Sequence, residues 1–146
     1  MLTTIAIPRP GADEYFPYYG AYISQVPGDD ALPTLASHIE SWHPALRRLT
    51  DAQALHRYAP DKWSVKEVLG HLCDGERVFC YRALRFARAD ATPLSGFDEN
   101  AWVPNSGADG RPFADLADEL RAVRAATVAL FRSFDAGMLA RRGEAN

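Results

Sequence analysis

Cysteine is scarce: only Cys73 and Cys80 occur in 146 residues. Seven positions apart on one helix, their Cα atoms would lie roughly 10 Å apart, beyond the ~7 Å limit for a disulfide. They read as small buried thiols of a reducing, cytoplasmic compartment. Short catalytic signatures are missing too. The chain has no C-x-x-C, H-E-x-x-H, H-x-x-x-H, phosphate-binding loop or G-x-S-x-G, so no single motif names a chemistry. It also lacks a basic segment, and its formal net charge is −3. A duplex-binding protein needs a Lys/Arg footprint against phosphates, so nucleic acid is not an expected partner. No apolar run is long enough to span a bilayer, so no membrane partner is expected. Residues 1–7 are apolar but carry no positive charge and soon meet Pro8, which does not make a signal peptide.

What is present fits one ordinary globular domain over residues 1–146. Apolar residues make up 47% and charged residues 24% of the chain, near the averages for soluble domains. Residues 1–30 are rich in Pro and Gly and read as an irregular arm. Its aromatic cluster, Tyr15-Phe16-Pro17-Tyr18-Tyr19 followed by Tyr22, is expected to pack along the bundle or to line a pocket mouth. A first helix is expected from Asp29 or Asp30, with Pro33 in its first turn and Leu35, Ile39, Trp42 and Leu46 at helical spacing. Pro44 should kink it or shift its start.

The second helix has the clearest signals. Ser64-Val65-Lys66-Glu67 is a capping box, and Trp63 and Val68 flank it as a hydrophobic staple. The helix can run to about Ala89. Its predicted apolar arc is Val65, Val68, Leu72, Phe79, Ala83 and Phe86. Residues 90–111 read as a long crossover, which in a compact domain is usually functional or topological. A third helix starts near Pro112, with Phe113, Leu116, Leu120, Val123, Thr127, Leu130 and Phe134 in a bundle-type stripe. Three long helices with a crossover indicate an all-α antiparallel bundle.

His71 stands out among the four histidines. It lies mid-helix at the edge of the apolar arc, and Gly75, one turn on, leaves room for a ligand. Such a histidine can be a metal ligand or general base; a hydrogen-bonded boundary histidine is the plainer reading. Asp74 either orients His71 or pairs with Arg77. Glu76 falls inside the apolar arc and needs a partner there. Arg121, Arg124 and Arg132 on the third helix are candidates. Asp98 and Asn100 in the crossover either form a polar lid or serve their own turn. His38 and His43, five residues apart, do not share a face well, His43 precedes Pro44, and His56 sits near a loop, so none of the three reads as a ligand.

The block Tyr58-Ala59-Pro60-Asp61-Lys62-Trp63-Ser64-Val65-Lys66-Glu67-Val68-Leu69-Gly70-His71-Leu72 resembles the signature of the DinB-like proteins. Asp74, Glu76-Arg77, Tyr81-Arg82-Ala83-Leu84-Arg85 and Pro93-Leu94-Ser95-Gly96-Phe97-Asp98-Glu99-Asn100 extend the resemblance. It implies an up-down-down-up four-helix bundle with a long crossover between the second and third helices. It also implies a divalent metal, zinc or nickel, held by three histidines. His71 matches the ligand from the second helix. The other two come from an H-x-x-x-H on a fourth helix. Relatives include thiol-dependent transferases that use low-molecular-weight thiols, and proteins described as metal-dependent hydrolases.

The sequence carries three of those helices and lacks the H-x-x-x-H. The expectation is therefore a DinB-like metal-dependent enzyme acting on a small molecule, with an incomplete metal site and impaired activity. The competing expectation is a non-catalytic binding or assembly module. Either way, apolar stripes left uncovered on the helices point to a homodimer.

Overall fold

The computed structural model describes residues 6–145. It is all-α. Its elements are a 3₁₀ turn at Pro17–Tyr19, then α1 (Gly20–Ile23), α2 (Ala31–Leu46), α3 (Asp51–Ala54), α4 (Val65–Ala87) and α5 (Glu99–Asn105). A second 3₁₀ turn at Ala108–Gly110 leads to α6 (Phe113–Arg132) and α7 (Ala136–Leu139). The β pairing among the described residues is an isolated parallel bridge between Leu94 and Ala145.

Local chemistry sets the ends of the long helices. Asp30 caps α2 by accepting from the Leu32 amide, and it also accepts from the Ile7 amide at 2.9 Å. Pro44 sits inside α2, which ends two residues later at Leu46. At the start of α4 the Ser64 hydroxyl accepts from the Glu67 amide and Glu67 accepts from the Ser64 amide. This reciprocal box satisfies two donors that a helix start otherwise leaves orphaned. A second capping box, Thr50 with Gln53, opens α3.

The helix packing departs from the periodicity reading in one respect. The principal contacts of α2 and of α4 are both with α6. The core joins Ile39 of α2, Leu69 and Cys73 of α4, and Phe113, Leu116, Ala117 and Leu120 of α6. On α4 the buried residues are Lys66, Leu69, Gly70, Cys73, Gly75 and Ala87. Part of the arc predicted to face the core is rotated outward: Val68 is 41%, Leu72 42% and Phe79 57% exposed, while Val65 packs against the core. Small residues explain the rotation. Gly70 lets the crossover approach so closely that a Cβ on it would stand 3.3 Å from the Ala108 methyl. Burying this face hides backbone that large side chains would have held away from its neighbours.

Two further expectations are corrected. The crossover at residues 90–111 is partly helical, because Asp98 caps α5 by accepting from the amides of Asn100 and Ala101. Asp98 thus serves its own turn, as one of its two sequence readings proposed. The arm at residues 1–30 contains a helical turn, and its aromatics do not pack inward. Phe16, Tyr18, Tyr19 and Tyr22 are all exposed. The arm is held by polar contacts instead. Arg9 donates to the carbonyls of Ile23, Val26 and Gly28, and Arg142 pairs with Asp13 and Glu14.

Candidate functional site

His71 lies on α4 two turns after the capped start. It is half-buried, and its ring centroid is 4.9 Å from that of Trp63 at a 50° tilt. One turn further, Gly75 is buried, yet a Cβ built on it would meet only the Phe79 ring edge, at 4.0 Å. That position leaves space beside the helix. The same stripe continues to Arg82, whose guanidinium lies 5.8 Å from the Phe79 ring centre and 5.9 Å from that of Phe97. Arg82 also donates to the Ser95 carbonyl. Phe97 packs at 4.9 Å against Trp102 of α5. The crossover therefore sets an aromatic pair against Arg82, three turns beyond His71 on α4, while Val68, Leu72 and Phe79 are exposed.

The remaining polar residues near this face have structural duties. Asp74 reaches Arg77 at 3.9 Å, and Arg77 reaches Glu119 at 2.7 Å. Asp74 therefore takes the ion-pair reading. Burial works to raise the Glu119 carboxyl, but hydrogen bonds from Arg111 and Arg77 outweigh it and hold the group below its usual range. Glu76 points to the core side of α4 and makes a two-pronged bond to Arg124, at 2.7 and 2.9 Å. This is the pairing expected for a carboxylate inside the bundle, with Arg124 the member chosen from three candidates. Burial pushes the Cys73 thiol up to about 11, so it stays protonated at neutral pH and is a poor metal ligand or nucleophile. Cys73 and Cys80 are both free thiols.

The other histidines lie elsewhere. His43 bonds Asp118 through Nε2 at 2.7 Å, and His38 stacks on Trp42 at 4.9 Å. Among the described residues no three His, Cys, Asp or Glu side chains come together in a way that could hold a metal ion. Trp63, the ring beside His71, offers no lone pair to a metal. The described residues alone therefore do not fit the three-histidine centre that the resemblance implies. A groove of about 740 Å³ between α2 and α6 does not help. Its floor is Ala36, Ala122, Ala125 and Ala129, and it contains no histidine.

Lys66 was not singled out from sequence. It is almost completely buried on α4, with Nζ 2.7 Å from Asp51 and bonds to the carbonyls of Arg111 at 2.6 Å and Asp109 at 3.3 Å. Asp51 also accepts from the Phe113 amide at 2.8 Å. These contacts pin α3, the end of the crossover and the start of α6 to the base of α4, just below His71. Their sequence signal was weak: a lysine inside a capping box normally reads as solvent-facing.

A bundle organised around one central helix, with a long crossover laid against a histidine-bearing helix, defines a recognisable class of helical fold. The sequence pattern of the DinB superfamily matches residues 34–146. The chain belongs to this superfamily. Among solved structures it is similar to YfiT from Bacillus subtilis, described as a probable metal-dependent hydrolase with an unusual four-helix bundle topology. The TM-score is 0.61 and the identity 20%, and the match covers 77% of this chain and 66% of that one. It therefore spans just under two thirds of that relative's length, and the likeness is one of fold. Among curated proteins, none matches the sequence. No helix among the described residues is long and apolar enough to cross a membrane.

Proposed function

We propose that this chain is a metal-dependent enzyme of the hydrolase or thiol-transferase type, acting on a small molecule bound beside His71. The carrying observation is the placement of His71: half-buried, braced by Trp63, with an open position at Gly75 one turn on. Membership in the DinB superfamily and the likeness to YfiT, a probable metal-dependent hydrolase, support the same reading. His71 is then one ligand of a divalent metal, zinc or nickel, with its remaining ligands outside the described residues. A low-molecular-weight thiol is the proposed co-substrate for the transferase variant. A cytoplasmic location goes with this proposal, since Cys73 and Cys80 are both free thiols of the kind a reducing compartment maintains.

Metal analysis of the purified 146-residue chain tests this reading. A single imidazole holds zinc or nickel weakly compared with a site of three or four protein ligands. The expected result is sub-stoichiometric metal after dialysis, with the weak binding that remains reduced in His71→Ala. Tight one-to-one metal that survives dialysis and disappears in His71→Ala would show that the site is complete in this chain. Metal binding unchanged by His71→Ala would remove His71 from the site.

A second reading rests on a different observation, the outward stripe of Val68, Leu72 and Phe79 on α4. Spaced four and seven residues apart, these side chains form a seam suited to another helix. We propose that a second copy covers it, making a homodimer. Light scattering should then give twice the mass of one chain, and Phe79→Glu should shift the species toward monomer. A well-folded monomer at high concentration would refute the dimer.

A further inference from the structure

The His71 ring is held in an uncommon way. A histidine that serves as ligand or base normally donates one ring N–H to a carboxylate or a backbone carbonyl, and that bond fixes how the ring faces. Among the described residues no hydrogen bond reaches either ring nitrogen of His71, and its one polar or aromatic partner is the Trp63 ring. Asp74, the carboxylate nearest to it in sequence, reaches Arg77 instead. The imidazole is half-buried all the same, so something other than a hydrogen bond sets its direction.

Trp63 is fixed from both sides. The carbonyl of Lys62, just before it, accepts from Arg57 at 2.7 Å. Ser64, just after it, is fully buried. The Ser64 amide donates to Glu67 at 2.9 Å, and its hydroxyl donates to Asp109 while accepting from the Glu67 amide. Arg57 closes this set of contacts by pairing with both Glu67 and Asp109. The backbone that carries the indole is therefore clamped. In a helix the Cα–Cβ bond tilts toward the N-terminus, and the allowed χ1 rotamers carry a long side chain the same way. The His71 side chain thus leans back toward the start of α4, where the indole stands. Two rings at 4.9 Å and a 50° tilt make a favourable aromatic contact.

We propose that Trp63 is a positioning residue for His71: the clamped indole selects one orientation of the imidazole by contact and leaves both ring nitrogens open to a bound molecule. This role rests on the reading of His71 as the binding residue of the site. A hydrogen-bonded orienting group would occupy one nitrogen, whereas a ring face occupies neither. An aromatic contact of this kind changes the ratio of two ring orientations by roughly twofold to tenfold. His71 then meets its ligand with that part of the ordering cost already met. The capping box serves twice, by starting α4 and by holding the residue that aims its histidine.

The test uses the whole chain with labelled histidine, read by NMR, with His71 assigned by the signal lost in His71→Ala. In wild type the three-bond couplings about χ1 should report one rotamer. The imidazole protons should show cross-relaxation to the indole and a ring-current displacement. Trp63→Leu should lower the rotamer ratio by roughly twofold to tenfold and abolish the displacement, and Trp63→Phe, which keeps a ring, should restore most of the ratio. Asp74→Asn should leave the couplings unchanged. Averaged couplings in wild type would overturn the proposal without any variant. So would averaging in Asp74→Asn, or a single rotamer kept in a folded Trp63→Leu. Metal binding unchanged in His71→Ala would overturn the site and with it the role of Trp63, although the couplings stay those of one rotamer. Averaged wild-type couplings would overturn the role alone.

Discussion

Replacing Arg124 with alanine is expected to lower the stability of the fold by about 3–5 kcal/mol, the range for breaking a buried ion pair from one side. The Arg124 and Glu76 side chains are only 15% and 12% exposed. Arg124 also donates to the Leu35 carbonyl at 3.3 Å, so it joins all three long helices. Its loss strands a carboxylate in the bundle interior and removes the side-chain tie to α2. Urea unfolding followed by circular dichroism measures the effect. The double variant Glu76→Leu, Arg124→Leu should recover most of the loss, because neither charge is left unpaired. If Arg124→Ala changes stability by less than about 1 kcal/mol, the pair behaves like an exposed one and the three-helix junction is not where stability is concentrated.

Lys66→Met is the second large effect, expected at about 3 kcal/mol. The carbonyls of Asp109 and Arg111 lose their buried donor, and each unsatisfied group of this kind costs about 1–3 kcal/mol. The loss should also depend on pH with a definite sign. The bond from Lys66, then the Phe113 amide, holds the Asp51 carboxyl below its usual range. A depressed carboxyl contributes stability that is present above its unfolded value, near pH 4, and is lost as pH falls through the folded value. The gap between wild type and Lys66→Met should therefore narrow as the pH drops below about 4. A gap that stays constant or widens with acid would rule out the Asp51–Lys66 pair as its source.

These two groups also show what sequence could and could not foretell. The start of α4 was legible because a capping box is complete within four residues, Ser64 to Glu67. Glu76 was legible as a buried acid, and three candidate arginines were named from spacing alone. The role of Lys66 was not legible, because its partners lie 15 residues back at Asp51 and 43 and 45 residues ahead at Asp109 and Arg111. The outward turn of Val68, Leu72 and Phe79 was missed for a related reason. Periodicity gives the spacing of an apolar stripe, and which neighbour covers it is a tertiary matter. Here glycines and a cysteine, poor in hydrophobic signal, won the close contact. His71 could be found by its place in the helix, and its lack of converging ligands could be judged only once the other histidines were seen to lie apart.

The central place of α6 has a consequence for how the molecule opens. Since α2 and α4 each find their main partner in α6, no pair of long helices stays well packed once α6 leaves. Partial openings that release α6 are then as costly as losing the whole structure. The most protected amides of α6 should exchange with deuterium only through global unfolding. The arm and the turn around α5 can open alone and exchange early. The chain would thus fold as one cooperative unit around a single strut, while the arm and the turn around α5 move without disturbing it.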